Sequence, residues 1–342
     1  MDREPVGVRI TGVAAEIPPT VVSTAEVEER AGICERFHFE PGWLERVTQV
    51  RERRWAAPEV KPSDLAAAAG RAAIADAGVD PTELDVVLFG GITHDFIEPA
   101  TANIVADSLG ARRARVFDVT NACNGLIDAV DVADALICSG KARRVLATTG
   151  ERATIVNNWN ARTIEELLHQ VAGLMLGDGG GALVLEASDD PEHGLREREF
   201  RSDPAQWRLA TAGVFRPSTQ ACEICGSILD LRFQTEGRRM FEVGIAMMPP
   251  TVAAVMERTG WTYDQLDIVF CHEAHRKFID NGMVETRDKI WSTVERFGNT
   301  STCSLPLAMA EAKAVGALVP GTKILLMAGG AGMSTAAMTL VW

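Results

Sequence analysis

The sequence predicts an α/β protein, because short apolar runs alternate with alanine-rich stretches. Short runs that are apolar throughout are typical of strands buried on both faces of a sheet. The stretch SDLAAAAGRAAIADAG, residues 63–78, has the composition of a helix. The apolar runs predict strands over residues 85–91, 144–150, 182–188, 267–271 and 323–330.

A gapless internal match indicates that one α/β unit occurs twice. The segment around Gly78 matches the segment around Gly260, and Asp85 then pairs with Asp267 at the same offset of 182 residues. Chance similarity between two helix–turn–strand units is the alternative, but the shared glycine and Leu-Asp pair favour duplication. Duplication would bring equivalent strand ends together, and α/β proteins bind ligands at strand ends.

Composition excludes several classes of function. A net charge of −13 over 342 residues disfavours binding to nucleic acid or to an anionic membrane. The charged N-terminus shows no signal peptide, and no run reaches the roughly 18 apolar residues of a membrane span. Seven scattered cysteines indicate free thiols in a reducing cytoplasm. The polar stretch 188–200 is typical of a linker or an exposed connection.

Cys123 lies where the strand-like run RVFDV meets the helix-like run GLIDAVDVADALI. A helix N-terminus offers unpaired N–H groups and positive partial charge, and both favour a reactive thiolate. The alternative is an inert core thiol, the usual state of a free cysteine.

Two histidines follow the strand-like run DIVFC of the second copy. His272 is at the predicted strand end, and His275 is three residues further on. A metal site is disfavoured because no second pair of ligands lies nearby in sequence, although CEIC at 222–225 supplies a lone Cys-x-x-Cys. His272 is therefore predicted to be catalytic, and no metal is expected.

The segment GNTSTCSLPLAM offers a third polar group, Asn299, just before an apolar helix-like run. Asn299 is either a helix cap or an amide donor aimed at an oxygen that gains charge. Neither glycine cluster, 176–186 or 325–342, has the Gly-x-Gly-x-x-Gly pattern that opens a helix, so a dinucleotide cofactor is not expected.

Taken in order, these motifs resemble the thiolase superfamily, and within it the β-ketoacyl-ACP synthase III-like condensing enzymes. The resemblance rests on Cys123, GDGGGALVL, CHEAH, GNTSTCSLPLAM and the terminal GGAGMS. It implies a duplicated five-layer α-β-α-β-α fold, with halves at 1–187 and 188–342. It also implies a cytoplasmic homodimer that acts on acyl-CoA or acyl carrier protein without a cofactor.

The resemblance implies roles for individual residues. It makes Cys123, His272 and Asn299 the catalytic triad and places the oxyanion hole at the N–H groups of Cys123 and of Gly330 or Gly332. The segment GWLERVTQVRERRW, residues 42–55, resembles the entrance for the substrate's pantetheine arm. The residues expected to bind substrate there are Trp43, Arg46 and Thr48.

Several residues depart from the family pattern. HEAH stands where HQAN is usual, so Glu273 and His275 replace a glutamine and an asparagine. The arginine usual after the entrance tryptophan falls at Val47. The run 160–176 is longer than in enzymes that use short starter chains, and we expect it to reshape the acyl tunnel.

The segment THDFIEPATANIVADSLG resembles a loop of the head-to-head condensing enzymes of bacterial olefin synthesis. In that branch a glutamate of the loop reaches across the dimer as a base, and Glu98 takes its place here. The alternative for Glu98 is a solvated loop carboxylate.

The sequence thus predicts Claisen condensation of acyl thioesters through an acyl-Cys123 intermediate. Two alternatives remain open: transfer of the acyl group to a hydroxyl or amine, and an inactive partner subunit that sets chain length. The presence of Asn299 favours condensation over transfer, and the intact triad disfavours an inactive subunit.

Overall fold

The computed structural model describes residues 7–190, 192–215, 229–276, 280 and 285–342. Cys222 and Cys225 of the CEIC motif lie outside these residues.

The described residues form strands and α-helices that alternate as predicted. The strands are β1 (Gly7–Glu16), β2 (Thr20–Ser23), β3 (Glu52–Trp55), β4 (Val86–Phe89), β5 (Arg115–Asp118), β6 (Arg144–Glu151), β7 (Gly179–Ser188), β8 (Gly194–Ser202), β9 (Ala210–Thr211), β10 (Val214–Phe215), β11 (Leu229–Asp230), β12 (Gln234–Thr235), β13 (Ile268–Cys271), β14 (Lys323–Gly330) and β15 (Ser334–Val341). The helices are α1 (Thr24–Arg30), α2 (Ile33–Phe37), α3 (Trp43–Thr48), α4 (Pro62–Ala77), α5 (Thr101–Leu109), α6 (Gly125–Cys138), α7 (Ile164–Leu174), α8 (Gly237–Thr259), α9 (Val294–Phe297) and α10 (Ser304–Ala314).

Two mixed sheets share one topology. The first has the order β1-β7-β6-β4-β5, and the second has the order β8-β15-β14-β13. In each sheet the first three strands are antiparallel neighbours and the fourth pairs in parallel with the third. The strands of the first sheet come from residues 7–188, and those of the second come from residues 194–341.

The sequence repeat corresponds to equivalent positions in the two sheets. Gly78 ends α4 and Gly260 ends α8, both with a positive φ that glycine adopts without strain. Asp85 then accepts hydrogen bonds from the backbone N–H groups at the start of β6, and Asp267 accepts one at the start of β14. Each aspartate therefore fixes its strand to the neighbouring strand, which explains why the repeat preserves it.

Three apolar cores lie between the five layers, and one of them surrounds the central helices on both sides. Helices α4 and α5 cover the outer face of the first sheet, and α8 covers the outer face of the second. Between the sheets, α6 and α10 are packed against both. The order is therefore α-β-α-β-α, which confirms the predicted fold.

The prediction of a linker over 188–200 is wrong for most of that stretch, since β8 begins at Gly194. The charges that suggested a linker form ion pairs with a neighbouring helix. Arg198 lies 2.9 Å from Asp131 and 2.6 Å from the buried Asp134, both on α6. A highly charged strand is stable at this sheet edge because the packed helix supplies opposite charges.

Helix α8 has a length and an apolar composition that would allow it to cross a membrane. This is weak evidence for a membrane span, because core helices of soluble proteins can have the same length and composition. Here α8 packs its buried side chains onto the second sheet, and it contains Pro249 and Pro250. No clear membrane span results for the described residues.

Gly125, the one glycine of α6, should tolerate substitution poorly. A Cβ there would lie 2.2 Å from the carbonyl oxygen of Gly90, so the first turn of α6 would have to move away from β4. We expect Gly125→Ala to lower the free energy of unfolding by about 3 kcal/mol. Chemical denaturation measures it. Gly237→Ala is the matched control, since its Cβ meets nothing nearer than 3.9 Å, and an equal loss in both variants would contradict the prediction.

Candidate active site

Cys123 lies in the connection between β5 and α6. The cap of α6 is Asn124, so Cys123 precedes the helix by two residues. Ala122, just before it, has a φ of 46°, which turns the chain sharply. Cys123 is partly exposed, in contrast to the buried Cys271 and Cys303.

The expected lowering of the thiol pKa is wrong for this structure. Although the residue is partly exposed, the surrounding protein desolvates its thiol, and this is the main reason why the pKa of Cys123 is raised to about 11. A hydrogen bond from Ser301 opposes the shift, and the charge of Glu151 adds to it. The effect of burial on the thiol pKa is therefore larger than the opposite effect of the helix N-terminus. At neutral pH the sulfur keeps its proton, so nucleophilic attack requires a base.

His272 follows the last residue of β13, as predicted, and its backbone N–H donates to Met327 O at 2.8 Å. Its Nδ1 lies 2.8 Å from Ser304 Oγ, and that hydroxyl donates its only hydrogen to Ser301 O at 2.5 Å. Ser304 can then only accept from His272, which assigns the hydrogen of the imidazole to Nδ1. The lone pair lies on Nε2.

The Nε2 atom of His272 is buried and has no hydrogen-bond partner among the described residues. Burial lowers the pKa of His272 to about 4, against a smaller opposing effect of the Ser301 backbone. The imidazole is therefore neutral at physiological pH, and its Nε2 is a base without a proton.

Asn299 lies in the loop before α10. Its Oδ1 accepts the Ser301 N–H at 2.8 Å, which leaves the Nδ2 amine as the donating end of the side chain. Helix α10 begins at Ser304 with no side-chain cap, so the cap interpretation of Asn299 does not apply. Cys123, His272 and Asn299 are brought together around Ser301, whose Oγ lies 3.7 Å from Cys123 Sγ.

The second sheet supplies a glycine beside the Cys123 backbone. A Cβ on Gly330 would lie 3.2 Å from Cys123 N, so the end of β14 lies against the nucleophile. Gly332 has a φ of 132°, which a side chain rarely tolerates. Of the two glycines expected in the oxyanion hole, Gly330 is the one that the structure places next to Cys123.

The three residues expected to bind substrate differ in their surroundings. Trp43 stacks on Phe39 with ring centroids 4.3 Å apart, and Arg46 is exposed in an open cleft. The prediction that Thr48 binds substrate is wrong. Thr48 is fully buried, and its hydroxyl donates to Leu44 O at 2.7 Å. That bond within α3 occupies the hydroxyl, so Thr48 stabilises the helix and does not face a substrate.

Glu98 lies on the exposed loop between β4 and α5. The structure of one chain does not bring it to Cys123, His272 or Asn299. Its role as a base stays a prediction that depends on a second chain.

Sequence reasoning missed Glu151, which is fully buried at the end of β6. Its carboxylate accepts from the N–H groups of Ile92 and Thr93, from the Thr93 hydroxyl, and from the Thr302 hydroxyl at 2.6 Å. Burial raises its pKa. Glu151 thereby connects the start of the Glu98 loop to the Asn299 loop. The only sequence signal was an acidic residue ending an apolar strand.

Two residues that depart from the family pattern, Glu273 and His275, form hydrogen bonds that connect the segment after β13 to neighbouring segments. Glu273 is buried and accepts from Ser292 Oγ and Thr293 N at 2.6 and 2.7 Å, which fixes the approach to α9. His275 Nε2 lies 3.0 Å from Val47 O and so connects the catalytic loop to α3. The described residues contain no cluster of three or more His, Cys, Asp or Glu side chains suited to a metal ion.

Two family profiles match the chain. The profile of 3-oxoacyl-[acyl-carrier-protein (ACP)] synthase III covers residues 117–204, and that of its C-terminal part covers residues 256–342. The β-ketoacyl-[acyl-carrier-protein] synthase III of Rhizobium johnstonii is 32% identical over 341 residues, which is 97% of this chain and 98% of the relative. That of Roseiflexus castenholzii is 32% identical over 97% of each chain.

Solved structures agree with this grouping. The 3-oxoacyl-[acyl-carrier-protein] synthase III of Aquifex aeolicus superposes with a TM-score of 0.84 at 27% identity, over 98% of this chain and all of that one. OleA of Xanthomonas campestris superposes with a TM-score of 0.88 at 25% identity, over the whole of both chains. The solved OleA variants include changes at a glutamate and at a histidine.

The layered fold and the convergent thiol, imidazole and amide define a thiolase-superfamily enzyme that condenses acyl thioesters. The chain belongs to the β-ketoacyl-[acyl-carrier-protein] synthase III family.

We expect Cys123 to be the site of acylation. Incubation with an acyl-CoA should add one acyl group to the intact protein, and Cys123→Ala should abolish the gain. Cys303→Ala is the control, because that buried thiol donates to Gly179 O and is not in the site. Acylation that persists without Cys123, as measured by intact-protein mass, would contradict the assignment.

The pH dependence of acylation should reflect a neutral cysteine–histidine pair. Because the pKa of His272 is lowered to about 4, its base form persists far below the ordinary histidine range. The single-turnover acylation rate should therefore fall only as the pH approaches about 4, while circular dichroism at each pH confirms folding. A fall centred near about 6.5, the ordinary histidine pKa, would contradict this.

Proposed function

We propose that the protein joins two acyl thioesters, carried by coenzyme A or by acyl carrier protein, into a β-keto product. It acts as a cytoplasmic homodimer and needs no cofactor. The observation that carries the proposal is the convergence of Cys123, His272 and Asn299 around one loop.

Acylation begins with proton transfer from Cys123 Sγ to the unprotonated Nε2 of His272. The sulfur attacks the thioester carbonyl carbon, and the oxyanion is stabilised by the N–H groups of Cys123 and Gly330. The bond from that carbon to the carrier sulfur breaks, and the carrier thiolate takes a proton from water. His272 keeps the proton it received.

In the second step His272 and Asn299 act as hydrogen-bond donors. The carbonyl oxygen of the second thioester lies between His272 Nε2–H and Asn299 Nδ2, and both stabilise the enolate. The enolate carbon attacks the acyl carbonyl, a carbon–carbon bond forms, and the bond to Cys123 Sγ breaks. The sulfur recovers its proton from His272.

An apolar cavity beside His272 suits the apolar chain of an acyl substrate. It is lined by residues of α8, β13, β14 and β15 and of the adjoining turns, including Met240, Met248, Met327 and Met333. Methionine side chains adapt to flexible apolar ligands. The cavity opens next to the proposed enolate site and suits the chain of one substrate.

The source of the enolate decides between two reactions. A malonyl thioester forms it by losing carbon dioxide, whereas a simple acyl thioester needs a base for its α-proton. Glu98 is that base in our proposal. Its neighbours Phe96 and Ile97 are 55% and 85% exposed, which favours a partner chain that covers the loop and receives Glu98 in its site.

Glu98→Gln should leave acylation of Cys123 intact and abolish the joining of two simple acyl-CoA molecules, because glutamine keeps the shape but cannot take a proton. Asn299→Ala serves as a comparison that should also acylate without coupling. Products are measured by mass spectrometry with and without malonyl-CoA. Coupling that requires malonyl-CoA and is unaffected by Glu98→Gln would reject the base.

A mixture of two inactive variants tests whether Glu98 acts across the dimer. In a mixed dimer, the Glu98→Gln chain contributes an intact Cys123, and the Cys123→Ala chain contributes an intact Glu98. After random exchange of subunits, half the dimers are mixed and one of their two sites is complete, so about a quarter of wild-type activity should return. No recovery, with exchange shown by native mass spectrometry, would place Glu98 in its own chain's site or outside it.

A further inference from the structure

Ser301 has an unusual backbone conformation for its residue type. Its φ is 54°, in the left-handed region that non-glycine residues rarely adopt, and the residue is buried. Such conformations persist only where the surroundings fix them, and they concentrate at functional sites. Here the surroundings are the three predicted catalytic residues.

The polar groups of Ser301 contact Asn299 and Cys123 directly and His272 through Ser304. Its N–H donates to Asn299 Oδ1, and its carbonyl accepts from Ser304 Oγ, which in turn accepts from His272. Its hydroxyl donates to Cys123 Sγ at 3.7 Å, within hydrogen-bond range for sulfur. The left-handed turn at Ser301 directs these groups to different partners.

We propose that Ser301 is a further catalytic residue, whose hydroxyl donates a hydrogen bond to the Cys123 sulfur and stabilises it as the thiolate forms. Its backbone positions Asn299 and, through Ser304, His272.

Ser301 transfers no proton in this step. The hydrogen leaves Cys123 Sγ for His272 Nε2, and the hydroxyl of Ser301 then donates to a charged sulfur, which makes its hydrogen bond stronger. When the new bond from sulfur to the acyl carbon forms, that charge is lost and the hydrogen bond weakens. The hydroxyl therefore stabilises the transition state for attack more than the resting thiol. The lowering effect of Ser301 on the pKa of Cys123 agrees with this direction.

The inference rests on Cys123 as the nucleophile, but its test needs no substrate. Iodoacetamide alkylates thiolates, and peptide mass spectrometry gives a separate rate for each cysteine. The exposed Cys138 of the same chain is the internal control. The variants are Ser301→Ala and Ser301→Gly: both remove the hydroxyl, but glycine adopts the positive φ without strain.

We expect both variants to alkylate Cys123 about threefold more slowly at pH 8, since a tenfold smaller thiolate population is partly offset by a more nucleophilic sulfur. Cys138 should react at the wild-type rate. A slowed rate in Ser301→Ala alone would assign the effect to backbone strain and overturn the proposal, as would an unchanged or faster rate in both. If wild-type protein alkylates at Cys123 but is never acylated by acyl-CoA, the proposed function fails while the result for Ser301 stands.

Discussion

The site depends on two helices that are buried between two sheets. Helices α6 and α10 bury most of their side chains in the central layer, so their positions are fixed by packing against both halves. Cys123 precedes α6, and the loop carrying Asn299 and Ser301 precedes α10. The same core that stabilises the chain therefore sets the distance between nucleophile and amide. The close contact of Gly90 with Gly125 fixes α6 against β4 in the same way.

Burial makes the resting site electrically neutral. The pKa of Cys123 is raised to about 11 and that of His272 is lowered to about 4, so neither group is charged near neutral pH. A neutral thiol is protected from indiscriminate oxidation, because only the thiolate is reactive. Attack then couples to proton transfer onto Nε2. The buried Glu151 opposes premature thiolate formation and also connects the loops of the two halves.

The departures from the family pattern are accommodated by packing. Glu273 and His275 stand where the family pattern has a glutamine and an asparagine, and each has a backbone partner within 3.0 Å. The contact of His275 with Val47 attaches α3, the predicted substrate entrance, to the strand end that carries His272. We therefore expect a change in this motif to affect the predicted entrance as well as the loop of His272.

The sequence by itself determined the class of fold and the duplication, and it predicted the three side chains of the triad. These signals are local: apolar runs define strands, Gly78 and Gly260 end helices, and Cys123 and His272 follow strands. It did not predict the strand β8, because its charged residues are typical of an exposed segment. In the structure, Arg198 of that strand forms ion pairs with Asp131 and Asp134. Nor did it reveal that the hydroxyl of Thr48 is bonded within its own helix, or that Ser301 connects Asn299, Cys123 and, through Ser304, His272. Those outcomes were decided by tertiary structure, because burial, ion pairing and the pKa of a thiol depend on which distant parts of the chain are packed together.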